Sequence, residues 1–177
     1  MRSLQLSVVA LFLFPSALPL SAVARYAQVQ DTSGWKTLPN KAGWSIKYPP
    51  SWTVWSCHSC PDPTAPNVYA NFGKPSPNGP HVMVEPLADK PPNEDVDKCL
   101  NLVKTTNNLN PIVSEDSISV NGLRGLRVKY RTAGHTAVEE TYIVSGSKTF
   151  AISSALDNPR AYAIYQQMVN TFIAKRP

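Results

Sequence analysis

Three cysteines are the first residues whose chemistry has to be accounted for. Cys57 and Cys60 stand two residues apart with His58 between them, and Cys99 lies far along the chain. In an exported protein the leading reading of such thiols is a structural disulfide. Cys57, Cys60 and Cys99 are its candidates, and the sequence does not choose the pair: Cys57 with Cys60 closes a small local loop, while either one joined to Cys99 closes a long one, and a monomer keeps one thiol over. The same spacing suits a redox pair if a cation such as His58 stabilises one thiolate. Against that, the motif runs into the proline loop Pro61-Asp62-Pro63-Thr64-Ala65-Pro66 instead of a helix, and no βαβ pattern surrounds it. A metal site would draw on Cys57, Cys60, His58 and either His81 or Asp62. Tetrahedral zinc needs four well-spaced ligands, and only two cysteines and one histidine are close in sequence.

Arg127, Lys129 and Arg131 alternate along one stretch with Arg124 just upstream, and they form the concentrated basic stripe of the chain. On a strand, alternate side chains share a face about 6.8 Å apart. The stripe is a candidate docking surface for an acidic partner or an anionic lipid surface. Glu139 competes with that reading: if the turn at Gly134 is tight, it points to the same face and forms cross-strand ion pairs with the stripe. Ser145-Gly146-Ser147-Lys148 has the Ser-x-x-Lys spacing of acyl-serine enzymes, but those place the serine at the start of a helix and this segment reads as a turn between strands. Gly-x-Ser-x-Gly, a phosphate-cradling glycine loop and His-Glu-x-x-His are all absent from the sequence. Trp35, Trp52 and Trp55 could line a groove, although aromatics at strand spacing usually enter the core. His81 and His135 are isolated. No catalytic residue, cofactor or metal is assigned.

The elements that must position these residues are limited first by composition. Eleven of the 17 prolines lie between Pro49 and Pro92, so this part of the chain is expected to be loops and short strands, and a helical bundle is disfavoured. With 177 residues, 42% of them hydrophobic, the chain holds enough apolar material for one packed domain. Met1 to Ala24 joins an early Arg2, an apolar run broken by Pro15 and Pro19, and the small residues Ala22-Val23-Ala24, which is the pattern of a cleavable signal peptide (1–24). No later run is long enough for a spanning helix, so no transmembrane anchoring is expected after cleavage. Periplasm, thylakoid lumen or cell exterior are the compartments this allows. The net charge of +5 is mild, and without a run of cations it does not argue for nucleic acid.

Residues 25–42 read as a polar lead-in and 43–177 as one globular domain. Trp44-Ser45-Ile46-Lys47-Tyr48 alternates as a strand that Pro49-Pro50 ends. Short strands are expected at Trp52 to Trp55, Val68 to Phe72 and His81 to Leu87. Asn93 caps a predicted middle helix with Val96, Cys99, Leu100 and Val103 on its inner stripe. Ile118 and Val120, the Asn121-Gly122 hairpin signal, and the alternating runs to Val144 and then to Phe150 and Ile152 predict an antiparallel meander. Asp157-Asn158-Pro159 starts a closing helix lined by Ala161, Tyr165, Met168 and Phe172, with Lys175 and Arg176 at its negative end. Six or seven antiparallel strands with two main helices make an α+β domain.

Gly43-Trp44-Ser45-Ile46-Lys47-Tyr48-Pro49-Pro50-Ser51-Trp52 resembles the opening signature of PsbP-like domains, an aromatic strand leading into Tyr-Pro with a Trp shortly after. The element order over roughly Gly43 to Ile173 is similar to theirs. The resemblance implies an α-β-α sandwich and a secreted, non-enzymatic binding or assembly role toward a protein partner or an envelope or thylakoid-lumen complex. In photosynthetic members that role is at photosystem II, which is one alternative; a thiol-disulfide protein working through Cys57 and Cys60 is the other.

Overall fold

The computed structural model describes residues 31–56, 62–66, 68–74, 81–87, 97–98 and 112–175. The expected signal peptide (1–24), the three cysteines and the predicted middle helix apart from Asp97 and Lys98, which are helical, lie outside the described residues. Among the described residues, besides that short helical stretch, ten strands and one helix follow in the order β1 (Lys36–Pro39), β2 (Trp44–Tyr48), β3 (Thr53–Trp55), β4 (Ala70–Gly73), β5 (His81–Pro86), β6 (Ile112–Val120), β7 (Leu123–Arg131), β8 (Ala137–Ser145), β9 (Lys148–Ala155), α1 (Pro159–Thr171) and β10 (Ile173–Ala174). They form a seven-stranded sheet, β3-β4-β5-β9-β8-β7-β6, and a three-stranded sheet, β1-β2-β10. Every neighbouring pair is antiparallel.

The meander is built by its turns. Asn121 and Gly122 have φ of 49° and 78°, as a two-residue hairpin of matching twist demands, and they join β6 to β7. The Asn121 amide nitrogen also donates to the carbonyls of Asn170 (3.1 Å) and Phe172 (2.7 Å), supplying donors to two carbonyls at the C-terminal end of α1. Gly125 sits inside β7 because a β-carbon there would run into the carbonyl oxygen of Tyr142 on β8. β6 is an edge strand among the described residues, and Ile112 and Val113 on it are exposed.

α1 begins as expected. The Asn158 side chain accepts from the Ala161 N–H at 3.0 Å, Pro159 occupies the first turn, and Ala161, Ile164, Tyr165, Met168 and Val169 are buried. This stripe packs with Trp44 and Ile46 of β2, Phe72 of β4, Val82 and Val84 of β5, and Phe150 and Ile152 of β9 in the main core. The other face of the large sheet carries a second cluster of Leu126, Val128, Tyr142, Val144 and Ala151.

Two expectations about the ends need correcting. The polar lead-in contains β1, whose Leu38 enters the core and whose residues pair with β2, so the folded unit begins before Gly43. At the other end, Lys175 does not sit against the end of the helix. Phe172 takes up an extended conformation and is fully buried, 6.0 Å from Trp44 and 5.3 Å from Phe150 between ring centroids. Seating that ring straightens the chain into β10, which pairs with Trp44 and Ser45 on the second edge of β2. Phe172→Ala is expected to cost about 3–5 kcal/mol in urea unfolding, as truncation of a buried aromatic ring does. Ile173→Ala, at a position 57% exposed, should stay within about 0.5 kcal/mol of wild type.

Candidate functional site

The basic stripe takes its geometry from the β7–β8 register. The connecting turn closes through Thr132 N–H to Thr136 O at 2.9 Å with His135 at φ 63°, and it sets Arg127 opposite Thr141, Lys129 opposite Glu139 and Arg131 opposite Ala137. Directly opposed residues share a face, so Glu139 joins the stripe, as a tight turn required. Its side chain is fully buried beneath α1. Lys129 Nζ stands 3.3 Å from one carboxylate oxygen and Arg127 Nε makes an ionic contact of 3.3 Å with the other. The Tyr162 hydroxyl on α1 donates to Glu139 at 2.8 Å and accepts from the Gln166 amide at 2.9 Å. Lys129 Nζ also lies 5.9 Å from the Tyr162 ring centroid, and the Thr141 and Tyr165 hydroxyls bond at 2.6 Å beside the cluster.

A carboxylate taken out of water costs several kcal/mol unless cations and donors replace the solvent. Here two cations and a phenol do so, and the cations, with side chains 27% and 37% exposed, keep part of their own hydration. Burial together with donation to Glu139 pushes the Tyr162 phenol up to about 12. Burial, with the nearby Glu139 charge, lifts Tyr165 well above the ordinary tyrosine range.

The four stripe residues therefore divide. Arg127 and Lys129 hold Glu139. Arg131 stands exposed at the end of β7 and donates to the His135 carbonyl at 3.3 Å. Arg124 has the opposite parity, that of Leu126 and Val128, and pairs with Asp97 at 2.6 Å where both side chains are mostly exposed. It lies outside the stripe. Cys57, Cys60 and Cys99 are outside the described residues, so their pairing stays as the sequence leaves it. Ser145 to Lys148 is a strand-to-strand turn in which the Ser145 hydroxyl donates to the Lys175 carbonyl at 3.3 Å. Trp52 is buried in the core and Trp35 packs against it, so neither opens a groove.

Sequence reasoning passed over a second acidic cluster, on the opposite face of the large sheet. Glu140 accepts from the Tyr142 hydroxyl at 2.8 Å and from the Tyr130 hydroxyl at 3.2 Å. Burial raises its pKa; the two phenol donors oppose the rise, and the Glu85 charge adds to it. Burial also raises Glu85. The signal was a glutamate with the same parity as Tyr142 and Val144 in an otherwise apolar alternation.

Two outcomes follow for stability. Tyr162→Phe removes one donor from a buried carboxylate and should cost about 1–2 kcal/mol at pH 7. Because the folded phenol is raised from 10 to about 12, its contribution is complete below pH 10 and disappears as pH rises to 12, so the deficit of the variant should shrink over that interval. Glu140 has a raised folded pKa, so its protonated form favours the fold, and that contribution fades as pH rises from the ordinary 4.5 through the raised value. Glu140→Gln keeps an acceptor for both phenols and should remove that slope, giving a melting temperature at pH 7 equal to or above wild type.

No protein-family model matches the sequence, and no curated protein matches it. Solved structures do match the fold. Cyanobacterial PsbP from Synechocystis sp. PCC 6803 superimposes with a TM-score of 0.56 at 12% identity, covering 80% of this chain and 92% of that one. A protein from Bacteroides thetaiotaomicron VPI-5482 matches with a TM-score of 0.52 at 11% identity over 80% of this chain, which spans about half (48%) of that longer protein. With its large antiparallel sheet, small sheet and packed helix, the chain has a PsbP-like α+β fold.

Proposed function

We propose that this is an exported, non-enzymatic PsbP-like protein that works by docking onto an acidic protein partner through the open end of the β7 face, around Lys129 and Arg131. The observation that carries the reading is Arg131: it is exposed, its register partner is Ala137, and no carboxylate among the described residues pairs with it. Lys129 beside it keeps more than a third of its side chain in solvent. Glu139 neutralises part of the stripe from below, and Asp116 faces Arg127 from β6, so the surplus charge gathers at the Arg131 end. The leader-like sequence of residues 1–24 and the PsbP-like fold support an extracytoplasmic, binding role. Among the described residues no helix is long and apolar enough to cross a membrane.

Polyglutamate serves as a defined acidic probe. Wild type should bind it in dilute buffer and release it as salt shortens the screening length to about 8 Å at physiological ionic strength. Arg131→Glu should weaken that binding several-fold with an unchanged melting temperature, and cross-linking in the native cell should lose its acidic partner in the same variant. Equal binding by wild type and Arg131→Glu would retire this surface.

A further inference from the structure

A second basic feature lies where the two sheets meet, away from the β7 stripe. Lys41, Ala42 and Gly43 from the β1–β2 turn, Ser145, Ser147 and Lys148 from the β8–β9 turn, and Lys175 after β10 line an open pocket of about 330 Å3. This is at the small end of the ~300–1,000 Å3 range of small-ligand sites. The three segments are held to one another. Lys175 N–H donates to the Gly43 carbonyl at 2.8 Å, the Ser145 hydroxyl to the Lys175 carbonyl at 3.3 Å, and Lys148 Nζ to the Ala42 carbonyl at 3.3 Å.

The lining residues include three lysines and two serines and no acidic residue. Lys41 is engaged at the rim by Asp62 at 2.7 Å, a pairing that, with the Thr64 donors, holds the Asp62 carboxyl down at about 2. Lys148 and Lys175 have no carboxylate partner among the described residues. Like charges gathered around one concavity repel, and an anion between them relieves that repulsion while accepting charge-assisted hydrogen bonds. A phosphomonoester fits best. It is close to doubly charged at neutral pH and has three acceptor oxygens, enough for two ammonium groups and the Ser147 hydroxyl, and the pocket leaves room for a small polar body.

We infer that the pocket formed by the β1–β2 turn, the β8–β9 turn and Lys175 is a binding site for a small phosphomonoester, either free or as a lipid headgroup. Calorimetric titration with glycerol 3-phosphate in low salt, with glycerol as the uncharged control, tests the soluble form. Vesicles of phosphatidylcholine with and without phosphatidate test the lipid-borne form. Wild type should bind at least one saturably, and Lys148→Gln with Lys175→Gln should weaken binding by about tenfold or more. Lys36→Gln with Lys74→Gln, an equal charge change outside the pocket, should bind as wild type does. Lys175→Gln alone leaves the backbone pairing with Gly43 in place, and its loss of affinity at unchanged melting temperature separates ligand contact from folding. Binding to phosphatidate vesicles alone, with the same dependence on Lys148 and Lys175, would identify the lipid as the source. No saturable binding to either probe, equal affinity in the Lys148/Lys175 variants, or an equal loss in Lys36/Lys74 would overturn the site.

Discussion

One acidic side chain placed inside the protein organises the β7 face. Glu139 lies under α1 with no exposed surface, so its charge must be met within the fold. Meeting it draws Arg127 and Lys129 inward across β7 and brings Tyr162 down from α1. The helix is thus fixed to the sheet by a polar contact as well as by its apolar stripe. The cations it recruits are mostly withdrawn from solvent, which leaves Arg131 at the strand end as the part of the stripe with no carboxylate partner among the described residues.

The apolar side of the same helix closes the molecule. Phe172, Trp44 and Phe150 bring together the last turn of α1, the central strand of the small sheet and β9 of the large one. Phe172 is seated from an extended backbone, and from there the chain leaves the helix and adds β10 to β2. That short addition also carries Lys175 to the junction of the sheets, where it meets the β1–β2 and β8–β9 turns. The strand that follows this buried ring therefore brings one of the pocket's three lysines to it.

Much of this was legible beforehand where the pattern is local. Trp44 to Tyr48 alternates cleanly, Asn121-Gly122 specifies its hairpin, and Asn158-Pro159 starts a helix whose buried residues include the predicted Ala161, Tyr165 and Met168. What escaped depends on distant partners. β1 has one buried residue, Leu38, in four, too few to show a period, and it exists because β2 offers an edge. β10 is two residues long and follows from where Phe172 packs. β6 runs to Ile112 with mostly exposed side chains, so hydrophobic alternation shows only its last residues. At the site, alternation placed Arg127, Lys129 and Arg131 together. Arg124 has the other parity and should have been separated from them on that ground alone. The full burial of Glu139 and the partnership with Tyr162 needed the helix in place, because nothing in the strand sequence reports what lies above it.

The direct test of an inward-pairing Glu139 is a double-mutant cycle between Glu139→Gln and Lys129→Met, measured by urea unfolding at pH 7 in low salt. If the carboxylate and the ammonium are partners in the folded state, the two losses are non-additive, with a coupling of about 1 kcal/mol or more that persists in moderate salt because one partner is buried. Additive losses would mean that the two charges do not sense each other, and the arrangement of the β7 face described above would be wrong.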